Sequence, residues 1–505
     1  MNATSIDWII AGIFLFFLTV GGIGCKYFIH GVADFVVAGR HLRKYLGLST
    51  GTAEGIGIMT LVLMSEIGFT SGFSYIGISI VCLLVVPVVY GLKGFVINRY
   101  REAGVVTVPE YAQRRYSKGV RVVTAAALAF SGILNLAIFP IMASQFLTHF
   151  LNAPPNITCM GLTVPFIPVL MAFLIGLALV FAYCGGMVSV ILTDFIQSII
   201  IAFMVFFITI LVIKNVGFDV IHKTTKLNFG EGGYNPFISE TFGTMFIVVI
   251  IIQQVIGFPS FAPSMQKLAS TDTAKTARQM TVLGFLFNQG RALMILIWGI
   301  AALAVMGNQA PEGMEAGMYH KVAGAIYLGK LIPAGLFGMA LAGMLAAFIS
   351  TVDTYLLCWS TVITNDIICP LWPKKISTRA HLWLLKIFVA LIALFLYVFG
   401  TLYQPAESIW VYITMTGVMM LGSGIILIGG LYWSRGSTAG AYAAVIFCCL
   451  LPAIELILKR IFSGELPVST QHFALGAIVS GILFYVVFSL LFPDKPNEIK
   501  GNKDA

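Results

Sequence analysis

Charged residues are scarce in this sequence. Asp, Glu, Lys and Arg make up only 10% of the 505 residues, whereas 59% are hydrophobic. A soluble domain of this length needs a charged surface, so the composition excludes that class and indicates that most of the surface faces lipid. Within a bilayer about 30 Å thick, each spanning helix needs about 20 apolar residues and must satisfy its own backbone hydrogen bonds.

Several chemical signatures are also missing. The sequence contains no Walker loop for ATP, no histidine cluster and no serine elbow, and none of its eight cysteines is spaced as a metal ligand pair. We therefore do not expect an enzyme or an ATP-driven pump. If the protein is a transporter, we expect it to draw its energy from an ion gradient.

The apolar segments are long and continuous, without the two-residue alternation of a membrane β-barrel. The pattern predicts an all-α polytopic membrane protein, and the first span is too long for a cleaved signal peptide. About thirteen spans are expected, near 6–28, 46–70, 73–98, 119–150, 162–184, 187–213, 240–258, 281–307, 332–362, 380–402, 407–432, 437–459 and 470–492.

The net charge of +9 reflects topology rather than an acidic partner. If the amino terminus is outside, most lysines and arginines fall in inner loops and in the tail over 493–505, as the positive-inside rule requires. We therefore expect a multi-pass protein of the plasma membrane with a cytoplasmic carboxyl terminus. Its expected partners are the lipid bilayer and a small-molecule solute, with neither a nucleic acid nor an obligate protein partner.

The chain is expected to form a single membrane domain, 1–505, with two interrupted spans. Three glycines lie in Gly51–Gly57 of the second span, and Pro259 and Pro263 interrupt the seventh. Transporters often contain inverted repeats whose paired helices break at the midplane. Glycine is also common in membrane helices, so the prediction of a repeat depends on the matching positions of the two interruptions. The predicted regions are 46–260 and 237–432 for the two repeats and 433–492 for additional helices.

Polar groups inside predicted spans are expensive and need a function. Asp194 lies in the sixth span, and the ninth span carries Ser350, Thr351, Asp353 and Thr354 within little more than two turns. Hydroxyl oxygens together with carbonyls freed by the broken second span would suit sodium. The alternative is that the hydroxyls bond back to their own helix and assist packing.

Arg291 lies in the eighth span, on the order of 20 Å from Arg278 at the inner end of that helix. Asn288, Gln289, Gln253 and Gln254 add amide groups nearby in the eighth and seventh spans. A guanidinium matches a carboxylate well, which favours an anionic or zwitterionic solute. The alternative is a structural ion pair of Arg291 with Asp194, Asp353 or Glu54.

Six segments form a pattern by their order and spacing: Asp34–Arg40, Thr107–Tyr111, Gly185–Gln197, Gln266–Lys267, Ala347–Asp353 and Gly430–Arg435. In these segments the sequence resembles the sodium:solute symporter family, and the resemblance covers almost the whole chain. The resemblance implies a leucine-transporter-like fold of two inverted five-helix repeats with additional helices. It also implies symport of a small polar solute with sodium as the co-transported ion.

The resemblance assigns site residues by motif. The shared sodium site would be formed by Ala53, Ile56, Ala347, Ser350 and Thr351. Some members bind another sodium ion, and the matching positions are Asp194, Asp353 and Thr354, where Asp353 replaces a hydroxyl. Positions that line the solute site in the family correspond to Thr60, Ser79, Asn135, Gln254, Asn288, Arg291 and Thr414.

The mechanism expected from these assignments is alternating access, in which sodium binding raises solute affinity by linkage. A proton-coupled carrier of the same fold, with Asp194 and Asp353 as the relay, is the nearest alternative. A transporter-like membrane sensor is a further alternative, although such chains normally append a signalling domain.

Overall fold

The computed structural model describes residues 3–159, 162–374, 376–403, 409–462 and 469–494. The fold is all-α except for one hairpin, as the apolar pattern predicts. The predicted tail over 493–505 lies outside the described residues from position 495 onward.

The chain forms helices α1 Ser5–Gly24, α2 Val32–Val37, α3 Lys44–Gly55, α4 Ile58–Ser71, α5 Tyr75–Val85, α6 Ile97–Ala103, α7 Val108–Arg115, α8 Lys118–Ala137, α9 Phe139–Leu151, α10 Phe166–Val216 and α11 Phe218–Phe229. It continues with α12 Gly243–Ser260, α13 Ala262–Ser270, α14 Ala274–Met306, α15 Ala316–Leu331, α16 Leu336–Thr361, α17 Cys369–Leu371, α18 Thr378–Leu402, α19 Ile409–Met419, α20 Leu421–Tyr432, α21 Thr438–Ile461 and α22 Thr470–Leu491. Turns of 3₁₀ helix lie at Cys25–Phe28, Ala38–Arg40 and Gly230–Gly233, and π-helical turns at Val86–Leu92 and Val362–Ile368.

The hairpin consists of strands β1 Asn156–Cys159 and β2 Leu162–Pro165, which pair antiparallel with Asn156 opposite Pro165.

The number of spans differs from the sequence prediction. Among the described residues, ten helices are long and apolar enough to cross a membrane, or twelve if each of two bent pairs counts as one span. The predicted count of thirteen is therefore not confirmed. The difference lies in α10, which counts as one span although its 51 residues cover most of the predicted span 162–184 and all of 187–213. Gly186 interrupts α10 with a φ of 48°, and a Cβ there would lie 2.5 Å from the Phe35 carbonyl oxygen.

The helix α16 lies at the centre of the protein, because every residue from Ala340 to Thr361 is buried. The outer helices instead expose large apolar side chains such as Phe17, Trp383 and Leu394. This distribution is that of a multi-pass membrane protein. It also means that the polar groups of α16 find their partners inside the protein.

The first predicted interruption is confirmed. Helix α3 ends at Gly55, α4 begins at Ile58, and the two axes differ by 51°. A Cβ at Gly55 would lie 1.8 Å from Asn288 Nδ2, so glycine lets the Asn288 side chain of α14 approach the break closely. The break therefore follows from both the local chain and its neighbour.

The second predicted interruption is also confirmed. Helix α12 ends at Ser260 and α13 begins at Ala262, with the extended residue Phe261 between them. Pro263 stands in the first turn of α13, where a missing N–H is tolerated. The bend of 40° between α19 and α20 was not predicted from the sequence. The inverted relation between 46–260 and 237–432, and the assignment of 433–492 as additional helices, remain predictions.

The two interrupted spans are tied together at the end of α13. Leu42 N donates to Ser270 O at 3.1 Å, and Asp272 N donates to Leu42 O at 3.1 Å. Arg101 of α6 donates to the carbonyl oxygens of Ala269 at 2.7 Å and Thr271 at 2.6 Å. These bonds satisfy carbonyls that a helix end leaves free and hold the start of α3 beside the end of α13.

Candidate ion and solute site

The oxygens predicted to bind sodium lie together between α3 and α16. Ser350 Oγ is 3.4 Å from Ala53 O and 3.3 Å from Ala347 O, and Thr351 Oγ1 donates to Ala347 O at 3.1 Å. Ile56, the residue at the end of α3, is fully buried. The structure thus brings the two carbonyls and the two hydroxyls into one buried group.

The hydroxyls do bond back to their own helix, as the packing alternative requires. A hydroxyl that donates its proton to a helix carbonyl nevertheless keeps its oxygen lone pairs for another partner. The Thr351 side chain also faces the break, because a Cβ at Gly57 would lie 2.2 Å from Thr351 Oγ1. The assignment of these oxygens to sodium stays a prediction.

The acidic residues assigned to a second ion belong to a buried charge cluster that contains Lys267. Lys267 Nζ lies 3.0 Å from Asp194 Oδ2 and 3.2 Å from Glu54 Oε2. Thr50 Oγ1 also donates a hydrogen bond to Asp194 Oδ2. Lys267 belongs to the segment Gln266–Lys267 of the family resemblance, and its side chain is completely buried rather than exposed with the charges of the inner loops. The neighbouring residues of α13, Gln266 and Ser270, are also polar, so the local sequence does not indicate that the Lys267 side chain points into the protein.

Asp353 and Thr354 lie on α16 and are also buried. Thr354 Oγ1 donates to Ser350 O at 2.9 Å and lies 3.4 Å from Asp353 Oδ1. In this region, three of the buried carboxylate oxygens without a hydrogen-bond partner among the described residues are Glu54 Oε1, Asp194 Oδ1 and Asp353 Oδ2. Within the residues that the structure describes, no three acidic, histidine or cysteine side chains lie close enough together to form a metal site.

A cavity of about 560 Å³ adjoins the sodium-site oxygens. Both interruptions line it, through Gly55 and Gly57 on one side and Ser260 and Phe261 on the other. Its polar side chains are Glu54, Thr60, Asn135, Gln253, Gln254, Ser260, Ser264, Thr281, Asn288, Gln289, Thr351 and Thr414. Thr351 therefore lies on the wall shared by the ion group and the cavity.

Five of the seven residues predicted to contact the solute line this cavity: Thr60, Asn135, Gln254, Asn288 and Thr414. Ser79 and Arg291 are not among the described lining residues. Sequence analysis did not assign the aromatic part of the wall to the solute site. It comprises Tyr75, Phe139, Phe258, Phe261, Phe285 and Tyr355, and the Tyr355 ring lies 5.8 Å from Phe139 and 5.6 Å from Phe261.

Arg291 is held by the backbone of the first interrupted span. Its Nη2 donates to Thr52 O at 2.7 Å and to Asn288 Oδ1 at 2.6 Å, and its Nε donates to Phe287 O at 3.3 Å. Among the described residues it forms no ion pair with Asp194, Asp353 or Glu54. The guanidinium thus binds one carbonyl oxygen near the end of α3, and the ion-pair alternative is not what the structure shows.

We expect Arg291→Leu to lower stability rather than to remove solute binding. The substitution leaves Thr52 O and Asn288 Oδ1 without their donor, a loss of about 1–3 kcal/mol for buried groups. Thermal unfolding of the purified protein would measure this loss. Lys275→Leu, at an exposed position of the same helix, is the control. Unchanged unfolding of the Arg291 variant with lost solute binding would show that Arg291 contacts the solute instead.

Interrupted helices that meet around one cavity, next to a group of carbonyl and hydroxyl oxygens, define a secondary membrane transporter. The sodium:solute symporter family model matches residues 35–448, and the chain belongs to that family. The proteins of this family are transporters, not enzymes, and sodium is their co-transported ion.

Individual relatives are distant in sequence. The chain is 23% identical to a sodium/pantothenate symporter of Haemophilus influenzae over 74% of each chain. It is 22% identical to a sodium/proline symporter of Staphylococcus aureus over 95% of this chain and 92% of that one.

Solved structures of other transporters share the fold. A sodium-coupled sialic acid symporter superimposes with a TM-score of 0.80 at 16% identity, covering 97% of this chain and 99% of that one. A nucleobase-cation-symport-1 family transporter gives a TM-score of 0.58 at 11% identity, covering 93% and 98%. The predicted leucine-transporter-like fold is confirmed.

Proposed function

We propose that this chain is a sodium-coupled symporter that imports a small polar solute without net negative charge by alternating access. Sodium binds to Ala53, Ile56, Ala347, Ser350 and Thr351, and the solute occupies the adjacent cavity. In the plasma membrane, the amino terminus lies outside and the carboxyl terminus lies in the cytoplasm.

The observation that carries the proposal is the shared wall between the two sites. Gly57 and Thr351 line the cavity, and Thr351 Oγ1 also belongs to the oxygen group between α3 and α16. A cation at this group would hold the broken end of α3 against α16 and so shape the cavity. Each ligand then stabilises the conformation that the other prefers, which is the physical basis of coupling.

The solute class follows from the polar wall of the cavity. Five amide side chains line it, from Asn135, Gln253, Gln254, Asn288 and Gln289. No lysine, arginine or histidine is among the described lining residues, and the Glu54 carboxylate is. Burying a net anion there would be unfavourable, because no basic side chain of the described wall offsets the loss of hydration. Amides instead suit neutral or zwitterionic groups that both donate and accept hydrogen bonds.

The anionic option rested on Arg291, which does not line the cavity. The sodium ion can still face the carboxylate of a zwitterion through the wall at Thr351. A zwitterionic solute with an amine or amide is therefore favoured over a simple carboxylate.

The proposal is tested by ligand-induced stabilisation of the purified protein. A panel of zwitterionic amino acids, neutral sugars and carboxylates is screened in sodium and in potassium buffer, and hits are followed as uptake into proteoliposomes. We expect neutral or zwitterionic compounds to stabilise the protein in sodium only, and their uptake to require a sodium gradient.

Two other outcomes would each contradict a different part of the proposal, either the solute class or the coupling ion. Stabilisation by carboxylates alone would contradict the solute class and leave sodium coupling intact. Uptake driven by a pH gradient without sodium would replace sodium coupling by the proton relay through Asp194 and Asp353.

A further inference from the structure

The buried lysine of α13 joins the two interrupted spans. Its ammonium is 3.0 Å from Asp194 Oδ2 on α10, 3.2 Å from Glu54 Oε2 on α3 and 3.4 Å from the Thr50 carbonyl oxygen. The side chain is 0% exposed, as is that of Asp194. An ammonium in such a place is stable only when anionic oxygens surround it, and these oxygens do so from two other helices.

The position of this ammonium matters because Asp194 is the residue that the family resemblance assigns to a second sodium ion. Asp194 Oδ2 accepts hydrogen bonds from Lys267 and Thr50. Its other oxygen has no hydrogen-bond partner among the described residues, and neither has Asp353 Oδ2. Among the described residues, no three acidic, histidine or cysteine side chains are grouped closely enough to hold a metal ion. Asp194 and Glu54 converge on Lys267.

We propose that the Lys267 ammonium is a built-in cation that takes the place of a second transported sodium ion, so that this carrier binds one sodium ion per chain. The inference rests on the proposed sodium symport and concerns its stoichiometry. Sodium held by α3 and α16 is released in each cycle, whereas the lysine charge stays attached to α13.

The charge balance explains why a second cation would be unfavourable in the wild-type protein. A sodium ion beside Asp194 would lie next to an ammonium of the same sign in a region of low dielectric constant. Removing the lysine charge leaves Glu54, Asp194 and Asp353 buried without a counter-ion, and this arrangement attracts a cation. Lys267 is therefore expected to exclude sodium, and its removal to admit it.

The test is the number of sodium ions bound, measured with ²²Na⁺ on the purified full-length protein in lipid nanodiscs, which requires no knowledge of the solute. We expect one ion per chain for the wild type and one for Asp194→Asn, because Asp194 pairs with lysine rather than with sodium. Lys267→Gln should bind a second ion. Lys226→Gln removes the same charge from an exposed position of α11 and should leave the count at one.

Two results would overturn the inference while leaving the proposed function in place. One is a wild-type count of two ions that falls to one in Asp194→Asn, which would make Asp194 a sodium ligand. The other is a count of one in folded Lys267→Gln. A wild-type count of zero would instead contradict sodium symport itself. The wild-type and Asp194→Asn measurements decide the question even if Lys267→Gln does not fold.

Discussion

Replacing both Ser350 and Thr351 with alanine is expected to abolish saturable sodium binding while the protein remains folded. The double variant removes the two hydroxyl oxygens of the ion group and leaves the carbonyls of Ala53 and Ala347. A hydrogen bond or dipole directed at a full charge contributes about 1.5–3 kcal/mol, so two lost ligands correspond to about a hundredfold weaker sodium binding or more. The loss is measured by ²²Na⁺ binding.

Helix α16 supplies its own control for this experiment. Ser360 and Thr361 are buried and bond back to Leu357 O at 2.8 Å and 2.7 Å, much as Ser350 and Thr351 bond back to Ala347 O. The Ser360→Ala, Thr361→Ala variant removes equivalent hydroxyls ten positions further along. Equal loss of sodium binding in both double variants would point to a general disturbance of α16 and contradict the sodium site.

Gly57→Ala is expected to weaken sodium binding by about tenfold or more, equivalent to about 1.4 kcal/mol, because the ion group depends on close contact between the break and α16. A Cβ at this position would lie 2.2 Å from Thr351 Oγ1 and 3.1 Å from Thr351 Cβ. Such overlap forces the two helices apart or rotates the threonine hydroxyl away from the ion. The backbone itself tolerates alanine, since φ is −77° and ψ is 171°.

Gly290→Ala is the matched control for that variant. It lies on α14, and a Cβ there would meet no atom within 4 Å. Sodium titration of both variants distinguishes a local steric effect from a general effect of losing a glycine. Wild-type sodium affinity in Gly57→Ala would show that Thr351 does not bind the ion.

Much of the fold follows from local signals in the sequence. The apolar segments predict helices of membrane-spanning length, and Gly55, Gly57 and Pro263 predict the two interruptions. These features act on the chain within a few residues, either by removing a backbone donor or by permitting a close approach. The group formed by Ala53, Ala347, Ser350 and Thr351 was predictable from the family motifs, because those motifs keep the same order along the chain.

The turn inside α10 was predictable in position but not in its cause. Hydropathy indicates two spans, 162–184 and 187–213, and the chain turns between them at Gly186, inside the segment Phe166–Val216. A Cβ at that glycine would lie 2.5 Å from the carbonyl oxygen of Phe35, which is far away in the sequence. A local pattern does not contain that contact.

The sequence by itself determined that this chain is a helical membrane transporter, where its helices break and which hydroxyls stand beside a break. Only the tertiary structure decided what the buried charges do. Lys267 reaches Asp194 and Thr50 across 73 and 217 positions, and Arg291 reaches Thr52 across 239. The direction of a long charged side chain depends on which oxygens compensate its lost hydration, and folding brings those oxygens from distant helices.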